Sequence, residues 1–171
     1  MLARVEAFVR ATETMRRSRE DALLEDETGL YTSRGLLLRL REVVADAARR
    51  RQPLACVVFT PDAAPESRPD GETLARLGAA FRRAGRDSDV LGRLSQDEFV
   101  VVAPATGEAG ARRLAERLTG VLAADLELLG VRLRTGFTAV EDASETRLDE
   151  AELLARTSGR TRDGNGSGAQ H

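Results

Sequence analysis

The sequence contains no lysine and no tryptophan, a single cysteine (Cys56) and a single histidine (His171, the last residue). Each absence removes a class of chemistry. Without lysine there is no Schiff base, no lysine general base and no phosphate-loop lysine. One cysteine and one terminal histidine leave no internal disulfide, no His/Cys zinc cluster and no Ser-His-Asp or Cys-His machinery. A reducing compartment is compatible with this cysteine count. No apolar run approaches the ~18 residues of a membrane span, and the opening MLARVEAFVR lacks the apolar centre of a signal peptide, so a cytoplasmic protein with no membrane partner is expected. Charge of one sign is also missing, because 26 basic residues, all arginine, stand against 28 acidic ones for a net charge of -2. Together with few aromatics, this argues against a nucleic-acid partner. The 171 residues suit one domain with short extensions.

What is present reads as alternating elements. A thin apolar stripe (Leu2, Val5, Val9, Met15, Leu23, Leu24) predicts a polar lead-in helix over residues 1–24, either packed on the domain or acting as a partner-docking stalk. Glu25 to Gly29 break that pattern. Ser33 is the candidate N-cap of a helix to about Arg51 with Leu36, Leu37, Leu40, Val43, Val44 and Ala47 on one face. After Pro53, the continuously apolar Leu54–Phe59 predicts a strand buried on both faces. Thr60–Gly71, with three prolines, predicts a loop. A helix with Leu74, Leu77, Ala80 and Phe81 inward then runs to about Gly85. Val90–Leu94 and Phe99–Ala103 predict a hairpin. A helix over Glu108–Leu122, a strand over Val131–Val140 and a helix over Asp149–Arg156 complete the order, and the Gly-rich residues 163–171 predict a disordered tail. Such an order suits an α+β domain, a mixed sheet with helices packed on it.

Three segments, EDETGLYTSRGLLLRL, RDSDVLGRL and LSQDEFVVVAP, together resemble the GGDEF domain of bacterial diguanylate cyclases over roughly residues 25–160. The family's D-x-L-T-G-L-x-N-R motif corresponds to Glu25–Arg34, and its closing A-K-x-x-G-R-N helix to Ala155–Thr161. The resemblance implies a nucleotidyl-cyclase-like mixed antiparallel sheet surrounded by helices, with an extra N-terminal helix and the domain proper at residues 25–162. In that family two GTP molecules, one on each of two facing domains, are joined into cyclic di-GMP with the help of metal ions; a homodimer is therefore open to this chain. The site positions depart from the family. Ser95 and Gln96 stand where two glycines allow close approach of the nucleotide. Thr60 stands where the first strand carries a metal-binding Asp, leaving Asp97 and its neighbour Glu98. The Pro-rich loop Asp62–Asp70 replaces the segment with a phosphate-binding Lys and a guanine-reading Asn. No catalytic residue, no metal and no cofactor are therefore expected, with Mg2+ poorly served. Arg156 and Arg160 keep positive charge at phosphate-binding positions, or are an ordinary basic last turn of a helix.

A second site implied by the resemblance is the R-x-x-D motif placed five residues before the hairpin, here Arg86, Asp87, Ser88 and Asp89. A guanidinium can bond the guanine O6/N7 edge or stack on its face, and a carboxylate accepts its N–H protons. Arg117 stands at the spacing of a supplementary arginine, or is an exposed helical residue beside Glu116. The alternative for Arg86 and Asp89 is a solvated pair in a turn. Cys56 is expected to be a buried, inert thiol. Asp97 and Glu98, as neighbours on a strand, are expected to point to opposite faces and not to share a reacting atom. The expected function is a catalytically inactive signalling protein that binds cyclic di-GMP at Arg86 and Asp89 and regulates a protein partner, with the N-terminal helix as one contact. The alternatives are a protein-interaction scaffold without nucleotide and a residual cyclase using Asp97 and Glu98.

Overall fold

The computed structural model describes residues 22–64, 67–144 and 149–162. Among these residues five helices and four strands follow in the order α1 (Ser33–Arg50), β1 (Leu54–Pro61), α2 (Gly71–Ala84), β2 (Val90–Arg93), β3 (Phe99–Pro104), α3 (Glu108–Val121), α4 (Ala123–Leu129), β4 (Leu133–Val140) and α5 (Glu150–Arg162). The sheet order is β2-β3-β1-β4. Among the described residues every strand pair is antiparallel, and the one parallel contact is an isolated bridge from Tyr31 to Gly92. This is the helix-covered antiparallel sheet of an α+β domain that the resemblance implies.

β1 is buried along its whole length because it has a strand on each side and helices on both faces. Side chains alternate across a strand, so Ala55, Val57 and Phe59 join α2, α3 and α4 in one core cluster. Leu54, Cys56 and Val58 join α1 and α5 in the other. Phe81 of α2 lies between Phe59 and Phe99, with ring centroids at 4.9 and 5.0 Å, which locks that helix over the strand ends that flank the hairpin.

Several boundaries differ from expectation for local reasons. Residues 1–21 of the expected lead-in helix lie outside the described residues, and Ala22–Leu24 are not helical: Leu24 bridges to Tyr31. The N-cap of α1 is Thr32, not Ser33, since the Thr32 hydroxyl accepts the Gly35 N–H at 3.2 Å. β1 runs on through Thr60 and Pro61, both paired with β4, where a loop was expected. Sequence reasoning missed α4. The backbone of Leu122 stays helical at the end of α3, and Leu122 and Leu126 continue the buried face into a second short helix. Gly130 ends it at φ 63, with the N–H of Val131 bonded to Leu126 O and that of Gly130 to Glu127 O, a Schellman-type cap. β4 consequently begins at Leu133 rather than Val131, and α5 reaches Arg162 rather than stopping at Arg156. The expected tail over residues 163–171 lies outside the described residues.

Candidate functional site

β2 separates two candidate sites. Its four residues span about 13 Å, with Arg86–Asp89 before it and Ser95–Glu98 after it.

The hairpin tip is a polar knot. Ser95 Oγ lies 3.2 Å from Asp97 Oδ1 and 3.3 Å from Glu98 Oε2, so its one proton is shared by two carboxylates. This corrects the expectation that Asp97 and Glu98 diverge: residues 94–97 are a bend, not strand, and the period-2 rule does not reach them. Arg93 holds the knot from below. It donates to Gln96 O, pairs with Glu25 at 3.3 Å and lies over the Phe99 ring at 5.5 Å, tying the hairpin to the segment that precedes α1. Gly92 allows the strand to lie close to the segment before α1 here, since a Cβ would stand a tight 3.0 Å from the carbonyl oxygen of Tyr31 and from Leu36.

Thr60 and Glu98 are the residues next to the Phe59–Phe99 pair on the two strands, and both are buried. Thr60 Oγ1 has no hydrogen-bond partner. A hard divalent cation takes six or more oxygen ligands, several of them charged. Here the strand offers a neutral hydroxyl, and Arg68 lies 3.7 Å from Asp97, where it competes for the same carboxylate. The donor set fits a divalent cation poorly. Among the described residues no group of three or more His, Cys, Asp or Glu is placed to hold a metal. Arg156 is exposed on α5; the side chain of Arg160, on the same helix, lies outside the described residues.

The other site is better formed. Arg86, Asp89 and Arg117 line one cavity of about 640 Å³, between the α2–β2 turn, α3 and the loop Ala105–Gly107. Asp89 is largely buried, its side chain only 4% exposed. Its carboxylate accepts the Arg86 backbone N–H at 3.1 Å, closing the turn, and faces Arg117 Nη2 at 3.9 Å. Arg117 also donates to the carbonyl of Ala84 at 3.0 Å, while its Nε and Nη2 are buried without a hydrogen-bond partner. Arg117 is therefore part of the constellation rather than a solvated helical residue. The guanidinium of Arg86 is exposed, with no ion pair among the described residues. Sequence reasoning missed Arg113 and Glu141, which line the same cavity. Arg113 was readable as the residue one turn before Arg117 on the same helix face; Glu141 had no local signal.

Cys56 is fully buried in β1. Burial pushes its thiol up to about 12, only partly offset by a hydrogen bond with Thr157, so it is no nucleophile at neutral pH.

Comparison with known proteins bears on both sites. Residues 71–139, which contain the R-x-x-D turn and the hairpin, match the family described as diguanylate cyclase, GGDEF domain. The diguanylate cyclase DgcP of Pseudomonas aeruginosa is 31% identical over 160 residues, covering 84% of this chain and 24% of that protein. The chain thus spans about a quarter of the length of that relative. Among solved structures, the GGDEF domain of YfiN from P. aeruginosa is 26% identical with a TM-score of 0.66, covering 82% of this chain and 95% of that one. The GGDEF domain of DgcB from Caulobacter crescentus, solved in complex with c-di-GMP, is 14% identical with a TM-score of 0.66, covering 84% of this chain and 90% of that one.

Proposed function

Because the chain belongs to the GGDEF domain family, we propose that it is a catalytically inactive member that binds cyclic di-GMP at Arg86, Asp89 and Arg117 and passes the bound state to a protein partner. The observation that carries this reading is the contrast between its two sites. At the hairpin, side chains occupy the place of two glycines, Ser95 ties up both carboxylates, Arg68 sits on Asp97 and a neutral threonine faces the turn. At the cavity, three residues spread over 31 positions of the chain meet around a space large enough for a dinucleotide. Arg86 presents a guanidinium that suits a guanine edge or face. The Asp89 carboxylate is held rigidly by the turn it closes, so little ordering remains to be done on binding. The DgcB domain, alike in fold, was solved with this same dinucleotide.

Calorimetric titration with cyclic di-GMP tests the proposal. Micromolar binding that is lost in Arg86→Ala supports it. Absence of binding favours the scaffold reading, which has its own observation: Leu23, Leu24, Leu37 and Leu38 are exposed around the start of α1, apolar surface available to a protein partner. Cyclic di-GMP formed from GTP and Mg2+ in an Asp97-dependent manner would overturn the assignment of inactivity.

A further inference from the structure

The wall of the Arg86 cavity carries a feature that the receptor reading leaves unused. Glu141 follows β4, and its Oε1 accepts the backbone N–H of Glu108, in the first turn of α3, at 2.8 Å. Gly107 makes the room, since a Cβ there would stand 2.4 Å from one carboxylate oxygen of Glu141 and 2.6 Å from the other. The start of a helix presents unsatisfied N–H groups and a partial positive charge, which suits an anion. Here the protein fills that place with its own carboxylate.

The rest of the cavity remains rich in unused positive charge. Arg86 and Arg113 have no ion pair among the described residues, and Arg117, although paired with Asp89, keeps its Nε buried without a hydrogen-bond partner. In the same wall Ala105 holds a left-handed φ of 51, a conformation unfavourable for alanine. The acids nearby are already committed: Asp89 to Arg117 and Glu108 to Arg112.

We propose that Glu141 is a competing carboxylate, which holds the start of α3 in the free protein and must leave it before a phosphodiester of the ligand can take the Glu108 N–H and the Arg113 guanidinium. This inference rests on the receptor reading and adds a determinant of affinity to it. Guanine recognition would lie with Arg86, Asp89 and Arg117, and phosphate recognition with Arg113 and the helix start. Glu141 would set how much ligand is needed to occupy both.

Glu141→Gln separates charge from shape, because the amide oxygen can still accept the Glu108 N–H. Titration with cyclic di-GMP at fixed salt should show Glu141→Gln binding about five- to tenfold tighter than the native protein, the scale of one helix-terminus charge interaction. Arg113→Ala should weaken binding more in the Glu141→Gln background than in the native one. Unchanged or weaker binding by Glu141→Gln, with native binding that still depends on Arg86, overturns the competing-carboxylate inference and leaves the receptor reading standing. No binding by the native protein or by Glu141→Gln, both folded by thermal melting, overturns the two together. Arg86-dependent binding by Glu141→Gln alone supports the competing-carboxylate inference and overturns the receptor reading for the native protein.

Discussion

Removing Asp89 tests whether the cavity is built by the fold or is a loose surface turn. Its carboxylate makes one hydrogen bond to the backbone N–H of Arg86 and one ion pair to Arg117 at 3.9 Å. A hydrogen bond to a charged group contributes about 1.5–3 kcal/mol. The pair adds about 1 kcal/mol: Coulomb attraction at that distance is about 1 kcal/mol in water and more with burial, but Arg117 is about a third exposed and screened accordingly. Asp89→Ala should therefore cost about 2.5–4 kcal/mol, a drop of about 5–16 °C in melting temperature for a chain of this length. Asp89→Asn, whose amide oxygen can still close the turn, should cost about 1 kcal/mol. Urea unfolding of Asp89→Ala, Arg117→Ala and the double variant isolates the pair, with an expected coupling of about 1 kcal/mol. A cost below about 0.5 kcal/mol for Asp89→Ala together with additive single variants would refute the reasoning, since that is the behaviour of an ordinary solvated surface site.

Two further outcomes follow from local chemistry. Cys56 should resist thiol reagents in the native protein at pH 8 and react only as fast as the chain unfolds, because burial holds the thiol near 12; the same raised value means that stability falls once pH passes 9.0, where the unfolded thiol ionises first, and rapid native labelling would contradict the buried placement. Asp70 caps α2, its carboxylate accepting the Thr73 N–H at 2.8 Å, and that bond holds its pKa below 3.8. The stabilisation is present above 3.8 and lost as pH falls through the lowered folded value, so the acid limb of a melting-temperature profile should be shallower for Asp70→Asn, and an unchanged limb would sink the capping argument.

Much of the fold was legible because its signals are local. The unbroken apolar run LACVVF can only be a strand covered on both faces, and the spacing of Leu74, Leu77 and Phe81 gives α2 its inward face. What escaped depended on context. Thr32 and Ser33 are equally good caps by composition, and the choice was made by Leu23, whose carbonyl accepts the Thr32 N–H. α4 escaped because nothing in Val121–Ala123 breaks a helix, so the two helices read as one that stops.

The candidate sites divide along the same line. R-x-x-D is four adjacent residues that the family resemblance picks out by their place before the hairpin, whereas Glu141 reaches α3 from 33 positions away and no pattern marks it. The error at the hairpin is the more instructive one. Treating Asp97 and Glu98 as strand neighbours gave them opposite faces, yet the bend brings both within reach of one serine hydroxyl. A glycine at position 95 would leave those two carboxylates without that shared proton. The Ser95 side chain therefore does more than fill space, because it turns two acceptors that could serve a cation or a substrate proton toward each other. On the proposed reading, loss of chemistry at the hairpin and retention of a preformed cavity at the far end of β2 are separable, since four residues of strand and the Phe81 stack stand between them.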